Sequence, residues 1–406
     1  MRWQRGSGVG RAAGMLRGEG LTQQATYVEL FLDLVLVFAL NRLVAWSVPG
    51  FAADTLAQSW ANIGKTVLLF LPLMWLWTTT THVTARFDPQ RAGIQLVVLG
   101  TCVGMLLMGT TLHTAYDSGA LMFAVVFVAV QVTRVAGLCI GLRPHRLHRL
   151  YARALVWFSL AGIWWIVGAV LGGAAQIACW TAAVMLDLGG ARLGWPVPGI
   201  GRAQSTTWQV GGHHMADRQQ QLLLIALGES VLAVGVTYTT RPGTRYEVAG
   251  LLIAFATTVL LWRIYFYKAG LLLTQAVDTA ADRAAWGRKT GLAHLLMVAG
   301  ILATSIGHEV VQYHPTPTTL PSWLAMIIGG PALFVAARAR LEHLVFARVS
   351  RRRLAGITAL AATTPVLRHT TPLVAAATAT AVLLAIAALD ARHAASRPPE
   401  TAAPPH

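Results

Sequence analysis

Glu29, Asp33 and Glu229 stand inside apolar runs of this chain. Glu29 and Asp33 belong to Glu29-Leu-Phe-Leu-Asp33-Leu-Val-Leu-Val-Phe38, and Glu229 to Ile225-Ala-Leu-Gly228-Glu229-Ser230. Charge in hydrocarbon is costly, so by default such acids mark an ion path, a pairing site or a proton relay. Glu29 and Asp33 are spaced i, i+4, which puts both carboxylates on one helix face about a turn apart. Glu29 also suits the positive end of a helix dipole, whereas Asp33 lies a turn deeper. Arg42, later in the same run, reads as snorkelling toward headgroups.

The run holding Glu229 begins His213-His214-Met-Ala-Asp217-Arg218. His214 and Arg218 are four apart, as are His213 and Asp217. On one helix Arg218 and Glu229 share a stripe but lie about 16 Å apart along the axis, too far to pair. Each needs a partner elsewhere, and Arg134 and Arg263 are the candidate counter-charges. Two readings of Glu229 stand together: a fixed buried ion pair, or a functional carboxylate. His213, His214 and Asp217 are ligand types for zinc, but no second ligand pair accompanies them and adjacent histidines face different sides, so no metal is assigned. His294 is a proton relay or a simply hydrogen-bonded histidine. His308-Glu309 closes a span and is expected to meet water. No phosphate-binding glycine loop, G-x-S-x-G or H-E-x-x-H occurs. The sequence therefore assigns no catalytic residue and no cofactor.

The elements that carry these residues are membrane helices. The 406-residue chain is 55% hydrophobic and 12% charged, with mean hydropathy +0.56; a soluble domain carries roughly a quarter charged residues. Spans of about 20 apolar residues fall near 28–48, 62–82, 92–112, 119–141, 151–172, 175–190, 218–239, 248–268, 291–310, 323–340, 352–366 and 372–391. The fold class is an all-α polytopic membrane bundle of about twelve helices. Of 32 Lys and Arg, 25 fall in the segments on one side, four on the other and three within spans. That bias puts both termini in the cytoplasm of a multi-pass inner-membrane protein. It also explains the net charge of +16 without nucleic acid as a partner.

The halves echo each other. Trp75-Leu-Trp77 corresponds to Trp262-Arg-Ile-Tyr-Phe-Tyr267, and the basic loop 143–149 to Arg351-Arg-Arg353. The organisation expected is a cytoplasmic tail 1–27, a six-helix half 28–190, a cytoplasmic linker 191–217, a second half 218–391 and a disordered tail 392–406. Six spans per half make the repeat parallel, an arrangement that holds sites at mid-membrane. The tryptophans within spans read as anchors and packing, and Cys102, Cys139 and Cys179 as small buried hydrophobes.

Two motifs in this order resemble signatures of the bacterial low temperature requirement protein A family: Glu29 to Phe38, and His214-Met-Ala-Asp217-Arg218 followed by Ile225 to Ser230. Arg86-Phe-Asp88 fits as well. Asp217 stands where the family pattern has Glu, and Gln219-Gln220-Gln221 where it has apolar or aromatic residues. The resemblance implies fold and topology and no settled activity. From the residues, the first functional expectation is a secondary transporter or ion-coupled permease. Its site would draw on Glu29, Asp33, His214, Asp217, Arg218 and Glu229, for an unidentified ion or small molecule in the lipid bilayer. The alternative is a sensor or scaffold whose acid–arginine pairs are structural. A membrane-embedded enzyme ranks third.

Overall fold

The structure, a computed structural model, describes residues 15–16, 24–52, 55–143, 145–203, 212–240, 243–267, 270, 272–280, 283–395 and 401–404. Most of the expected N-terminal tail and parts of the linker and C-terminal tail lie outside them. The described residues form helices and turns with no strand. In chain order the helices are α1 (Tyr27–Ser47), α2 (Leu56–Arg86), α3 (Ala92–Thr111), α4 (Ala120–Gly141), α5 (His148–Leu171), α6 (Gly173–Leu193), α7 (Gly212–Thr239), α8 (Arg245–Phe266), α9 (Leu273–Thr279), α10 (Arg283–Tyr313), α11 (Pro321–Ile327), α12 (Gly329–Phe346), α13 (Arg351–Leu367) and α14 (Pro372–Ala395). A 3-10 turn, Val48–Ala52, follows α1. Helices satisfy every backbone donor internally, which a chain this apolar needs if no water is at hand.

The twelve apolar segments expected from the sequence fall on α1 to α8, α10, the pair α11–α12, α13 and α14. Among the described residues, ten stretches are long and apolar enough to cross a membrane. Helix α1, which carries Glu29, Asp33 and Arg42, is not among the ten, nor is the 17-residue α13. The expected span near 323–340 is broken at Ile328 into α11 and α12. Pro331 accounts for the break: its ring clashes with the carbonyl four residues earlier and it has no N–H to donate there.

Contacts divide the chain into two compact units, residues 1–42 with 65–215 and residues 43–64 with 216–406. In the first, α3 packs on α4, α4 on α5 and α5 on α6. Gly172 and Gly173, at φ 68° and 55°, make the tight reversal between α5 and α6, a conformation that side chains resist. The core there is aromatic: Trp165 and Trp180 are fully buried with ring centroids 5.0 Å apart, and Phe127 lies 4.9 Å from Trp165. Packing is the role expected for these tryptophans. The three cysteines are free and buried.

In the second unit α10 packs closely on α12. A Cβ on Gly300 would stand 2.7 Å from the Phe334 nitrogen, and one on Gly330 2.5 Å from the Thr304 nitrogen. Small residues let the two backbones touch, as in membrane-type helix packing. Helix α14 lies on α8 and α13. The 3-10 turn is held by its Phe51 carbonyl, which accepts from Ser322 Oγ and Trp323 Nε1, each at 3.0 Å.

Candidate functional site

In the first unit the site begins with a helix cap. Thr26-Tyr-Val-Glu29 has the capping-box spacing, and the Thr26 N–H and hydroxyl both donate to Glu29 Oε2 at 2.9 Å. Glu29 Oε1 lies 2.9 Å from His214 Nε2, with both side chains at most 2% exposed. One turn along α1, Asp33 accepts from Trp77 Nε1 of α2 at 2.9 Å and is 3% exposed. The i, i+4 acids thus share a face, and that face holds His214 and Trp77. Trp77 was expected only to anchor or pack.

Arg134 of α4 also belongs to this unit. Its guanidinium donates to Thr80 Oγ1 at 2.8 Å, to Thr79 Oγ1 at 2.7 Å and to Gln131 Oε1. Asp187 of α6, buried at 4% exposure, is within electrostatic reach of Arg134 and faces the Trp165 indole. Asp187 is a buried acid that the sequence reading passed over. Its signal was there, a single carboxylate in Val-Met-Leu-Asp187-Leu-Gly-Gly.

The second unit holds the rest. Glu229 is 0% exposed, and Ser305 Oγ of α10 lies 3.5 Å from its Oε1. Ser230, next in the chain, lies 3.4 Å from the Thr258 hydroxyl of α8. Arg218 is also fully buried and donates to Gln221 Oε1 at 2.8 Å, while Gln221 Nε2 donates to Asp217 Oδ2 at 3.1 Å. Gln220 donates to the Gly270 carbonyl at 2.9 Å. Two of the three glutamines that set this chain apart are therefore in use, one joining Asp217 to Arg218. Arg263 lies over the Tyr267 ring at 5.3 Å.

His294 is bonded at both nitrogens, to Tyr265 Oη at 2.9 Å and to the Thr290 carbonyl at 2.8 Å. His308 and Glu309 do not meet water as expected: they are 5% and 4% exposed. Helix α10 runs to Tyr313 rather than ending near 310, so the pair sits within the bundle. Among the described residues no three His, Cys, Asp or Glu side chains gather as metal ligands.

A second charged cluster escaped the sequence reading. Arg353 Nη1 meets Asp390 Oδ2 at 2.9 Å and its Nε meets Glu342 Oε2 at 3.1 Å. Arg352 Nε meets Asp390 Oδ1 at 3.1 Å. In the sequence the Arg351-Arg-Arg353 run reads as a repeat echo and a topology signal, yet two of its arginines bind acids near the ends of α12 and α14.

Many apolar helices and acids buried among them define a multi-pass membrane protein. The chain belongs to the family described as bacterial low temperature requirement A protein (LtrA), whose profile matches residues 24–388. It is 29% identical over 325 residues to an uncharacterized protein of Rhizobium meliloti (strain 1021), across 79% of this chain and 78% of that one. No solved structure matches it significantly.

Proposed function

We propose that this protein is a secondary transporter or ion-coupled permease of the bacterial cytoplasmic membrane. One observation carries the reading: Glu229 is fully buried well inside a 28-residue helix. Ionisable side chains at such depth are by default part of an ion path or a proton relay. Glu29 and Asp33, with His214, form a second polar station in the first unit, and Asp217 and Arg218 lie at the start of α7. The working count is twelve crossings, the ten long apolar stretches plus α1 and α13, in two parallel six-helix repeats. The bias of Lys and Arg to alternate segments supports cytoplasmic termini. The partners in this reading are the lipid bilayer and a small solute or ion, with no nucleic acid, no resident cofactor and no enzymatic step.

The test is flux. Purified protein in proteoliposomes with an internal pH dye should move protons when a candidate solute gradient is imposed, and Glu229→Gln should not. Equal proton movement in wild type and mutant would remove Glu229 from the mechanism.

A second reading, a scaffold or sensor held by acid–arginine pairs, is favoured by the Arg353–Asp390–Glu342 cluster. Under it Glu229→Gln would lower thermal stability sharply rather than silence flux.

A further inference from the structure

A stripe of buried polar side chains leads away from Glu229 along α10. Ser305, whose Oγ lies 3.5 Å from Glu229 Oε1, is followed by His308, Glu309 and Gln312. All four are at most 5% exposed. Spacings of three and four put them on one helix face, with neighbouring Cβ atoms about 5–6 Å apart. Thr237 of α7, two turns beyond Glu229, faces the Glu309 carboxyl as its hydrogen-bond partner. Gln312 Nε2 donates to the Glu247 carbonyl, in the first turn of α8, at 3.2 Å. Just beyond, Tyr313 and His314 are exposed, as are residues 243–246 before Glu247. In the other direction the same face of α10 is apolar: Val298 and Ile301 are fully buried and Leu302 is 4% exposed. The stripe therefore starts at Glu229 and opens only where α10 ends.

Two of its atoms are unmet. His308 Nδ1 and Gln312 Oε1 are buried with no hydrogen-bond partner among the described residues. His82 and His294 also stand within helices, and each closes Nδ1 onto the carbonyl four residues back, at 2.7 and 2.8 Å. His308 does not close on its own helix in that way, so its Nδ1 stays available inside the stripe. Glu309 is equally uncommitted, since no cation pairs with it among the described residues. Of the nearby ionisable groups, Glu247 is tied into a capping box with Thr244 and Arg245 lies on the Tyr246 ring. Helix α11 and the 3-10 turn hold none, and α12 and α14 hold none before Arg338 and Asp390.

We propose that Ser305, Glu309, His308 and Gln312 form the path by which Glu229 exchanges protons with water at the Tyr313 end of α10. This rests on the reading of Glu229 as a carboxyl that takes up and releases a proton. Acids and histidines in series make proton relays in membranes, and imidazole is suited to passing a proton near neutral pH. A proton leaving the Glu229 carboxyl is taken at Ser305 Oγ, which gives its own to the Glu309 carboxylate. The serine ends unchanged, and the negative charge moves from Glu309 to Glu229. Glu309 hands the proton to His308 at Nδ1, and it leaves past Gln312, whose Oε1 is open to accept. Each step along α10 spans one helical turn, a gap that a single water bridges.

The experiment follows exchange by infrared spectroscopy of the full chain in lipid bilayers, across a pH series. The carbonyl stretch of a protonated carboxyl shifts on transfer to D2O, and the band missing in Glu229→Gln belongs to Glu229. A positioned proton carrier speeds transfer by about a hundredfold or more. Glu309→Gln and Ser305→Ala should therefore keep the Glu229 band and slow its exchange at least tenfold, with His308→Leu slowed as well. Glu309→Asp, which keeps a carboxyl, should recover most of the rate. Thr304→Val, which removes a hydroxyl from the neighbouring face of α10, should exchange as wild type does. A Glu229 band that exchanges equally fast in every variant would overturn the path and leave the reading of Glu229 standing. Slowing by Thr304→Val to the same degree would also overturn the path. Absence of a Glu229 band at every pH where the protein stays folded would overturn both.

Discussion

Asp390 and Glu229 are both at most 1% exposed in the second unit, and their settings differ. Asp390 sits near the end of α14 and meets Arg352 and Arg353 at 3.1 and 2.9 Å. Glu229 lies well inside α7, with the Ser305 hydroxyl 3.5 Å away. In the first unit Glu29 follows the pattern of Asp390, since it caps α1 and meets His214 at 2.9 Å. These two acids near helix ends are tied into a cap, a histidine contact and ion pairs. Beside the acid inside the helix stands the Ser305 hydroxyl, a group that can serve either the charged or the protonated form of a carboxyl. Under the proposed reading, depth along the helix separates carboxylates that hold the fold from one that serves a ligand, and that division can be tested.

The largest effect should come from Arg353→Met. It strands Glu342 and leaves Asp390 with Arg352 alone, and breaking a buried pair costs about 3–5 kcal/mol, read as a large fall in melting temperature. Adding Asp390→Asn should recover part of that loss. Next, Gly300→Leu drives a side chain into the Phe334 backbone. Overpacking costs roughly 1–3 kcal/mol and more where backbone must move, so reduced folded yield and an earlier melt are expected. Glu29→Ala removes the acid of the capping box and the His214 contact; a loss of about 1–2 kcal/mol would show in the same melt, and no loss would detach Glu29 from the structural class. Smallest and opposite in sign is Ala347→Gly. Ala347 ends α12 at φ 54°, where L residues are strained by about 1–2 kcal/mol, so the variant should melt slightly higher.

The class of fold was legible because hydrophobic length alone dictates membrane helices. The shared face of Glu29 and Asp33 was legible because i, i+4 spacing is local. Thr26-x-x-Glu29 also carried a readable cap, though only the dipole was drawn from it. What failed was long-range or directional. His214 reaches Glu29 across most of the first unit's sequence, and nothing in either segment names the other. Asp187 and Asp390 are single acids in apolar text, and their arginines lie on distant helices. The break before Pro331 was readable from proline chemistry but was lost within a run of apolar residues. His308 and Glu309 looked solvent-facing only because the helix was ended too early.

The central claim is that Glu229 serves a ligand rather than the fold. It is tested most directly by thermal-shift screening of wild type and Glu229→Gln against ions and small metabolites at two pH values. A ligand at 100 times its dissociation constant should stabilise by about 2.7 kcal/mol. The account predicts a hit in wild type that disappears in a mutant melting close to it. A mutant that melts far lower, or that binds the same ligand as well as wild type, would contradict it.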